Sequence, residues 1–153
     1  MKMDSTDRAI LSFLQEEARL SNVQLAERVH LSESACLRRV KALEKSGVIA
    51  GYAALVDPIK VGLPSIVVVH LTLQRQDQTD LETFEDAVRL IPEVMECYLM
   101  TGEFDYLLRI VVADTSDFER VHRQRLAQLP GVARIQSSFA LRTVRKTTAL
   151  PVR

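Results

Sequence analysis

The stretch Ser21-Asn22-Val23-Gln24-Leu25-Ala26-Glu27-Arg28-Val29-His30-Leu31-Ser32, continued by Glu33-Ser34-Ala35-Cys36-Leu37-Arg38-Arg39-Val40-Lys41-Ala42-Leu43-Glu44-Lys45-Ser46-Gly47, carries its own start and stop signals. Ser21 and Gln24 stand at capping-box spacing, where the hydroxyl and the amide satisfy each other's free backbone N–H groups. Leu25, Ala26 and Val29 follow as the buried face of a short helix. His30-Leu31 interrupts it, Ser32 caps a third helix from Glu33 to about Ser46, and Gly47 stops that helix with a left-handed residue. Short helix, tight turn, longer helix is the helix-turn-helix arrangement, and Ala26 is small where the two helices must cross. Such turns usually place glycine for positive φ. His30 stands there instead, which predicts a left-handed residue held at some cost.

At about 100° per residue the third helix carries Cys36, Leu37, Val40 and Leu43 on one side. Ser34, Ala35, Arg38, Ala42 and Lys45 lie on the other, with Arg39 and Lys41 flanking. Small residues let a helix approach the major groove, and Arg or Lys reach phosphates or guanine edges. Ser32, Ser34, Ala35, Arg38, Arg39, Lys41, Ala42 and Lys45 are therefore the candidate DNA-binding residues. By itself this pattern also describes a solvated basic helix face. The helix-turn-helix context favours DNA.

Upstream, Asp4 or Ser5 can cap a first helix whose Ile10, Leu11, Leu14 and Ala18 recur at helical spacing, ending near Glu17. Downstream of Gly51, Tyr52 to Val56 has the pattern of a short strand. Asp57-Pro58 and Gly62-Leu63-Pro64 supply hinge chemistry. Ser65 to Leu73 is Val/Ile-rich and predicts a buried strand. Thr79 to Glu82 has capping-box spacing before a helix with Leu81, Phe84, Val88 and Ile91 on one face. Pro92 ends it. Val94 to Thr101 and Tyr106 to Val112 predict strands joined by a Gly102-Glu103-Phe104-Asp105 turn. Ser116 to Glu119 then opens another capped helix with Phe118, Val121, Arg125, Leu126 and Leu129, and Ala133 to Leu141 predicts the last strand. Strand, helix, strand, strand, helix, strand is the split βαβ plan, so the fold class is α+β: an N-terminal winged-helix-like helix-turn-helix domain and a ferredoxin-like βαββαβ domain. The expected boundaries are 1–51 for the helix-turn-helix, 52–63 for a linker strand and hinge, and 64–153 for effector binding and oligomerisation.

The 20 Lys and Arg balance 20 Asp and Glu, and the balance persists in each part, with nine against eight over residues 1–60 and eleven against twelve afterwards. The case for DNA is thus local: Ser34 to Ser46 holds Arg38, Arg39, Lys41 and Lys45 against Glu44 alone. No run approaches the roughly 18 apolar residues of a membrane span, and the first residues lack a signal-peptide core, so the expectation is a cytoplasmic, nucleoid-associated protein with no membrane partner. Cys36 and Cys97 are too few and too far apart for a disulfide framework or thiolate zinc site. His30, His70 and His122 have no metal-ligand spacing, and no nucleophile motif, phosphate loop or dinucleotide fingerprint is present. No catalytic residue, metal or cofactor is expected, and an enzyme is disfavoured.

The match extends over nearly the whole chain to a known family. Asp4 to Leu11, Leu25 to Ser32, Arg39 to Tyr52, Glu96 to Leu108 and Leu129 to Val132 resemble the Lrp/AsnC family, the leucine-responsive or feast/famine transcription regulators. His30 departs from the family's usual glycine. The resemblance implies sequence-specific DNA binding modulated by a small molecule, an amino acid, and dimers that assemble further, often to octamers. It also implies an effector site near the turn, giving Met100, Thr101, Gly102, Glu103, Phe104, Asp105 and Tyr106 as candidates. Gly102 permits close backbone approach for a carboxylate, and Asp105 offers a carboxylate to an ammonium group. An ordinary hairpin with Asp105 bonding its own backbone stands as the alternative. Two rival functions also remain: an allosteric domain of metabolism, which the basic third helix argues against, and an architectural DNA-compacting protein without an effector.

A four-stranded sheet with both helices on one face leaves the other open. Strands as apolar as Ile66 to Leu73 and Tyr106 to Val112 cannot leave that face in water, so a second copy should cover it, which also presents two recognition helices to two-fold related half-sites on double-stranded DNA. Residues 64–141 are accordingly predicted to scatter light as at least a dimer at micromolar concentration. A stable soluble monomer would show that the sheet is covered in some other way.

Overall fold

The computed structural model describes residues 2–152. The chain divides into two compact units, one formed by the residues up to Leu55 together with the chain from Val144 onward, the other by Val56–Thr143. Residues 144–152, placed with the second domain by the sequence reading, make their compact contacts with the first unit.

In the first unit α1 (Ser5–Glu16), α2 (Asn22–Arg28) and α3 (Glu33–Lys45) enclose Ile10, Leu11, Leu25, Ala26, Cys36 and Leu43. Asp4 caps α1 in a reciprocal box with Asp7, and Ser21 and Gln24 form the expected box on α2. Ser32 caps α3 by accepting from the Ala35 amide. Between α2 and α3 the backbone turns through His30 at φ 55°, inside the left-handed region. Asn22 closes the motif by donating its side-chain amide to the Glu33 carbonyl at 2.8 Å. Leu37, assigned to the buried side from its spacing, is exposed at 42%. The core beneath α3 is filled by Cys36, Val40 and Leu43, which leaves Leu37 at the edge of the polar face.

In the second unit β1 (Ser65–Leu73), α4 (Gln78–Val88), β2 (Val94–Leu99), β3 (Tyr106–Val112), α5 (Thr115–Gln124) and β4 (Val132–Phe139) follow in the predicted order. The sheet runs β2-β3-β1-β4 with all neighbours antiparallel. Val67, Val69, Leu71 and Leu73 of β1, and Tyr106, Leu108, Ile110 and Val112 of β3, pack beneath Phe84 and Val88 of α4 and Phe118 and Val121 of α5. The intervening Ile66, Val68, His70, Leu107 and Val111 form the opposite face and are only half-buried. Strict alternation on the two central strands is what makes one face core and leaves the other apolar but uncovered.

Several details differ from the sequence expectation. Helices α4 and α5 are capped by Asp77 and Asp114, not by Thr79 and Ser116, which sit in the first turn. A carboxylate accepts from a helix N-terminal amide more strongly than a hydroxyl does and so takes the cap when both are in reach. Tyr52 to Val56 pairs with no strand among the described residues, and Tyr52, Leu55 and Val56 are exposed. A strand needs a partner for its backbone groups, however suitable its side chains. Arg125, placed with the apolar face of the last helix, is exposed beyond the end of α5, where the chain tightens into a 3-10 turn at Leu126–Gln128.

Because His30 holds a conformation that glycine adopts without penalty, His30→Gly is expected to keep or raise the thermal midpoint. His30→Val should lower stability by about 1–2 kcal/mol, since a β-branched residue fits the left-handed region worst. Calorimetry on the two variants checks the order.

Candidate nucleic-acid interface and effector turn

On α3 the polar face gathers Ser34, Arg38, Lys41, Ala42 and Lys45, all exposed, with Ala35 half-buried beside them. Ser32 is exposed at the helix start, its hydroxyl shared between the Ala35 amide and the Ser34 hydroxyl. Among the described residues Arg38, Lys41 and Lys45 enter no ion pair. The nearby acid is occupied: Glu44 accepts from the Tyr52 hydroxyl at 2.8 Å. Burial, then this bond, pushes the Tyr52 phenol up to about 12. Three unpaired cations and small residues thus line one helix face, the form a major-groove reader takes.

Arg39 does not belong to that set. Its guanidinium donates to the Asp7 and Asp4 carboxylates, each at 2.8 Å, and its side chain is two-thirds buried. These bonds, to Asp7 first and Asp4 second, raise the Arg39 pKa. The same aspartates form the α1 capping box, so α1 and α3 are joined at the point where α1 begins. Sequence spacing set Arg39 beside the DNA face because its partners lie more than thirty residues away. The signal that could have found them is the pair of acids one helical turn apart at the start of α1.

In the second unit the turn from Met100 to Tyr106 is built by a Met100 amide bond to the Asp105 carbonyl and by Gly102 at φ 110°. Met100, Thr101, Gly102 and Glu103 are exposed, whereas Phe104 and Asp105 are half-buried and Tyr106 is buried. Phe104 stacks on His70 with ring centroids 4.5 Å apart. Asp105 accepts from the Leu73 amide at 2.7 Å through one oxygen and from the Gln76 side chain at 2.8 Å through the other, and its own amide donates to the Leu71 carbonyl. Its carboxylate therefore closes the end of β1. Tyr106 points into the core and donates to Glu85 at 2.8 Å. Burial, then Glu85, raises its pKa. Beside it a groove of about 450 Å³ opens between α4 and the edge strand β2, lined by Glu85, Val88, Arg89, Cys97, Leu99 and Tyr106 among others. Burial pushes the Cys97 thiol up to about 11, so it stays protonated near neutral pH. Turn and groove meet at the paired residues Leu99 and Tyr106. The groove was not legible in the sequence, because it arises where a helix passes a sheet edge.

Residues 66–150 match the Lrp/AsnC ligand binding domain, and residues 3–50 match a winged helix-turn-helix DNA-binding domain. The chain belongs to the Lrp/AsnC family. As a member, it is a DNA-binding transcription regulator with a ligand-binding domain. It is 39% identical over 148 residues to the leucine-responsive regulatory protein of Haemophilus influenzae, covering 97% of this chain and 89% of that one. A transcriptional regulator from Neisseria meningitidis, solved in complex with L-Met, superposes with a TM-score of 0.93 at 43% identity over 98% of this chain and 97% of its own. An AsnC family regulator from Agrobacterium tumefaciens gives 0.94 at 38% identity over 97% of each. The ferredoxin-like second unit and the helix-turn-helix of the Lrp/AsnC plan are both present in this chain.

Two substitutions test the structural roles of these charged groups. Arg39→Ala should lower the thermal midpoint. The bonds to the α1 amide and to Arg39 hold the Asp4 pKa below its ordinary 3.8, so this network stabilises the fold above about pH 4 and is lost as the pH falls through the lowered value; the gap between wild type and variant should therefore narrow in acid. Asp105→Ala should destabilise the second unit by about 1–3 kcal/mol by leaving the Leu73 amide without its acceptor. Thermal denaturation across pH measures both.

Proposed function

We propose that this Lrp/AsnC regulator reads two-fold related half-sites of double-stranded DNA with the exposed face of α3, through Ser32, Ser34, Ala35, Arg38, Lys41, Ala42 and Lys45. The observation that carries it is the set of unpaired cations Arg38, Lys41 and Lys45 on one side of the second helix of a helix-turn-helix. In this reading an amino acid is the effector and adjusts DNA affinity or assembly. The L-Met complex of the Neisseria meningitidis relative supports that ligand class, and the match of residues 66–150 to a ligand-binding domain supports its location in the second unit.

The turn from Met100 to Tyr106 is the proposed site. Gly102, exposed and at positive φ, lets the effector carboxylate approach the backbone, and Glu103, more exposed than Asp105, offers the carboxylate for the ammonium group. A second copy covering Ile66, Val68, His70, Leu107 and Val111 gives the dimer, and further assembly of dimers, to octamers, follows the family pattern. The protein acts in the cytoplasm, on the nucleoid.

Arg38→Ala should cost about 1–3 kcal/mol of operator affinity and relax sequence preference if Arg38 reads a base, whereas a phosphate contact should weaken all sequences alike. Binding by Arg38→Ala equal to wild type would remove this face of α3 from the interface. A thermal-shift series over the twenty amino acids should give a rise with at least one, L-Met among the first to try, that Glu103→Gln diminishes without changing the unliganded midpoint. No shift with any of the twenty would return the protein to an effector-free architectural role.

A further inference from the structure

The balanced net charge conceals a strong segregation along the chain. All 20 acidic residues lie at or before Glu119, together with 12 of the 20 basic ones; from Arg120 onward there are eight Lys and Arg and no acid. Some of these cations are engaged within the second unit. Arg120 pairs with Asp117 and Glu93, Arg123 with Glu119, and Arg134 donates to Gln136. Arg142, Arg145 and Lys146 form no ion pair among the described residues.

These three lie within six residues of one another on a segment with a distinctive construction. It follows β4, has no helix or strand, and is exposed from Ala140 to Pro151. Leu141 and Val144 are fully or almost fully in water, so apolar packing does not hold it. Its far end is fastened nonetheless. The Leu150 amide donates to the Gln15 side-chain oxygen at 2.7 Å and the Leu150 carbonyl accepts from the Gln15 nitrogen at 3.1 Å, so that one glutamine on α1 satisfies both backbone groups as a strand partner would. Val152 then packs partly buried against the core of the three helices. The part of this segment from Val144 onward, with Arg145 and Lys146, thereby belongs to the unit that carries α3, and the segment is exposed along its length.

We propose that the segment 142–146 is a basic arm that binds the phosphate backbone of DNA, a contact separate from groove reading by α3. Arg142 and Arg145 suit bidentate bonds to phosphate oxygens, Lys146 adds a point charge, and the hydroxyls of Thr143, Thr147 and Thr148 are further donors of the kind that contact phosphates. Attachment through Gln15 keeps the arm at high effective concentration near any duplex that α3 holds, which favours DNA over a free anionic surface. The contact carries no sequence information and adds affinity by releasing counterions.

The full-length chain is titrated with KCl against fluorescently labelled duplexes of mixed, unrelated sequence, comparing wild type, R142Q/R145Q/K146Q and the charge-keeping R142K/R145K. The neutralised triple variant is expected to bind every duplex more weakly, with the slope of log affinity against log salt reduced by about two to three, and R142K/R145K to restore the slope. Q15A, which frees the arm without altering its charge, should give a smaller loss. A triple variant whose slope equals that of wild type overturns the arm, even if its affinity falls, because loss of affinity without loss of slope reports a change in fold or assembly. The inference rests on DNA binding by α3, and the two fail differently: a wild-type chain that bound no duplex would overturn both, whereas wild-type binding with an unaltered slope in the triple variant overturns the arm alone.

Discussion

The bonds from Arg39 to Asp4 and Asp7 are the constraint on which the DNA-binding unit depends. Helix α3 needs one face against the core and the other free for a groove, and a thirteen-residue helix has little margin for rotation about its axis. Cys36 and Leu43 fix one side by burial, but apolar contacts are non-directional. Charge-assisted bonds at 2.8 Å from Arg39 to two carboxylates on another helix supply direction. Asp4 and Asp7 are themselves positioned by their mutual capping box, so the start of α1, its orientation against α3 and the outward aim of Arg38 are one linked arrangement. Neighbouring arginines in sequence thus divide the work: Arg39 sets the helix, and Arg38 stands free beyond it.

Asp105 plays a comparable part in the second unit. A hairpin that reaches beyond the end of its neighbouring strand leaves that strand's last amide without a partner, and Asp105 supplies one to Leu73 while its own amide bonds Leu71. The turn is anchored at its base by these bonds and by the stacking of Phe104 on His70. Only Met100 to Glu103 project freely. An exposed tip on a fixed base is a suitable place for a ligand to act, because what the ligand orders is local and what it pulls on is the sheet. His70 faces the open side of the sheet, so the base of the turn and the face proposed to meet a second copy share a residue.

Local signals made the element order legible. Ser21 with Gln24, Ser32 and Gly47 mark helix boundaries through groups within four residues of one another, and the alternation of β1 and β3 follows from side-chain period alone. Where the sequence misled, the deciding partner was remote or in competition. Thr79 and Ser116 have the spacing of caps, yet Asp77 and Asp114 lie in reach and bind better. Leu37 has the spacing of a core residue, yet the space under α3 is already filled. Helical spacing sets Arg39 beside the DNA face and the family resemblance sets Asp105 in the effector turn, but neither shows the partners they have in the folded chain, Asp7 and the Leu73 amide, each 32 residues away. The groove beside β2 has no sequence signature, since it is a gap between elements and not a property of either.

Net charge misleads for a related reason. A sum of zero normally argues against binding a polyanion, yet phosphates respond to the charges within about a Debye length of them, roughly 10 Å at ordinary salt, and not to the total. Placing all 20 acids before Arg120 leaves an excess of cations on the last stretch of chain, of which Arg142, Arg145 and Lys146 enter no ion pair among the described residues. Attaching its end to α1 through Gln15 and Val152 then returns part of that excess to the helix-turn-helix, whose own residues are nearly neutral in sum. The acids left behind in the second unit keep the whole chain from the non-specific association that a uniformly basic protein suffers. Local concentration of positive charge with global balance lets a chain attract a polyanion at one place without being basic as a whole.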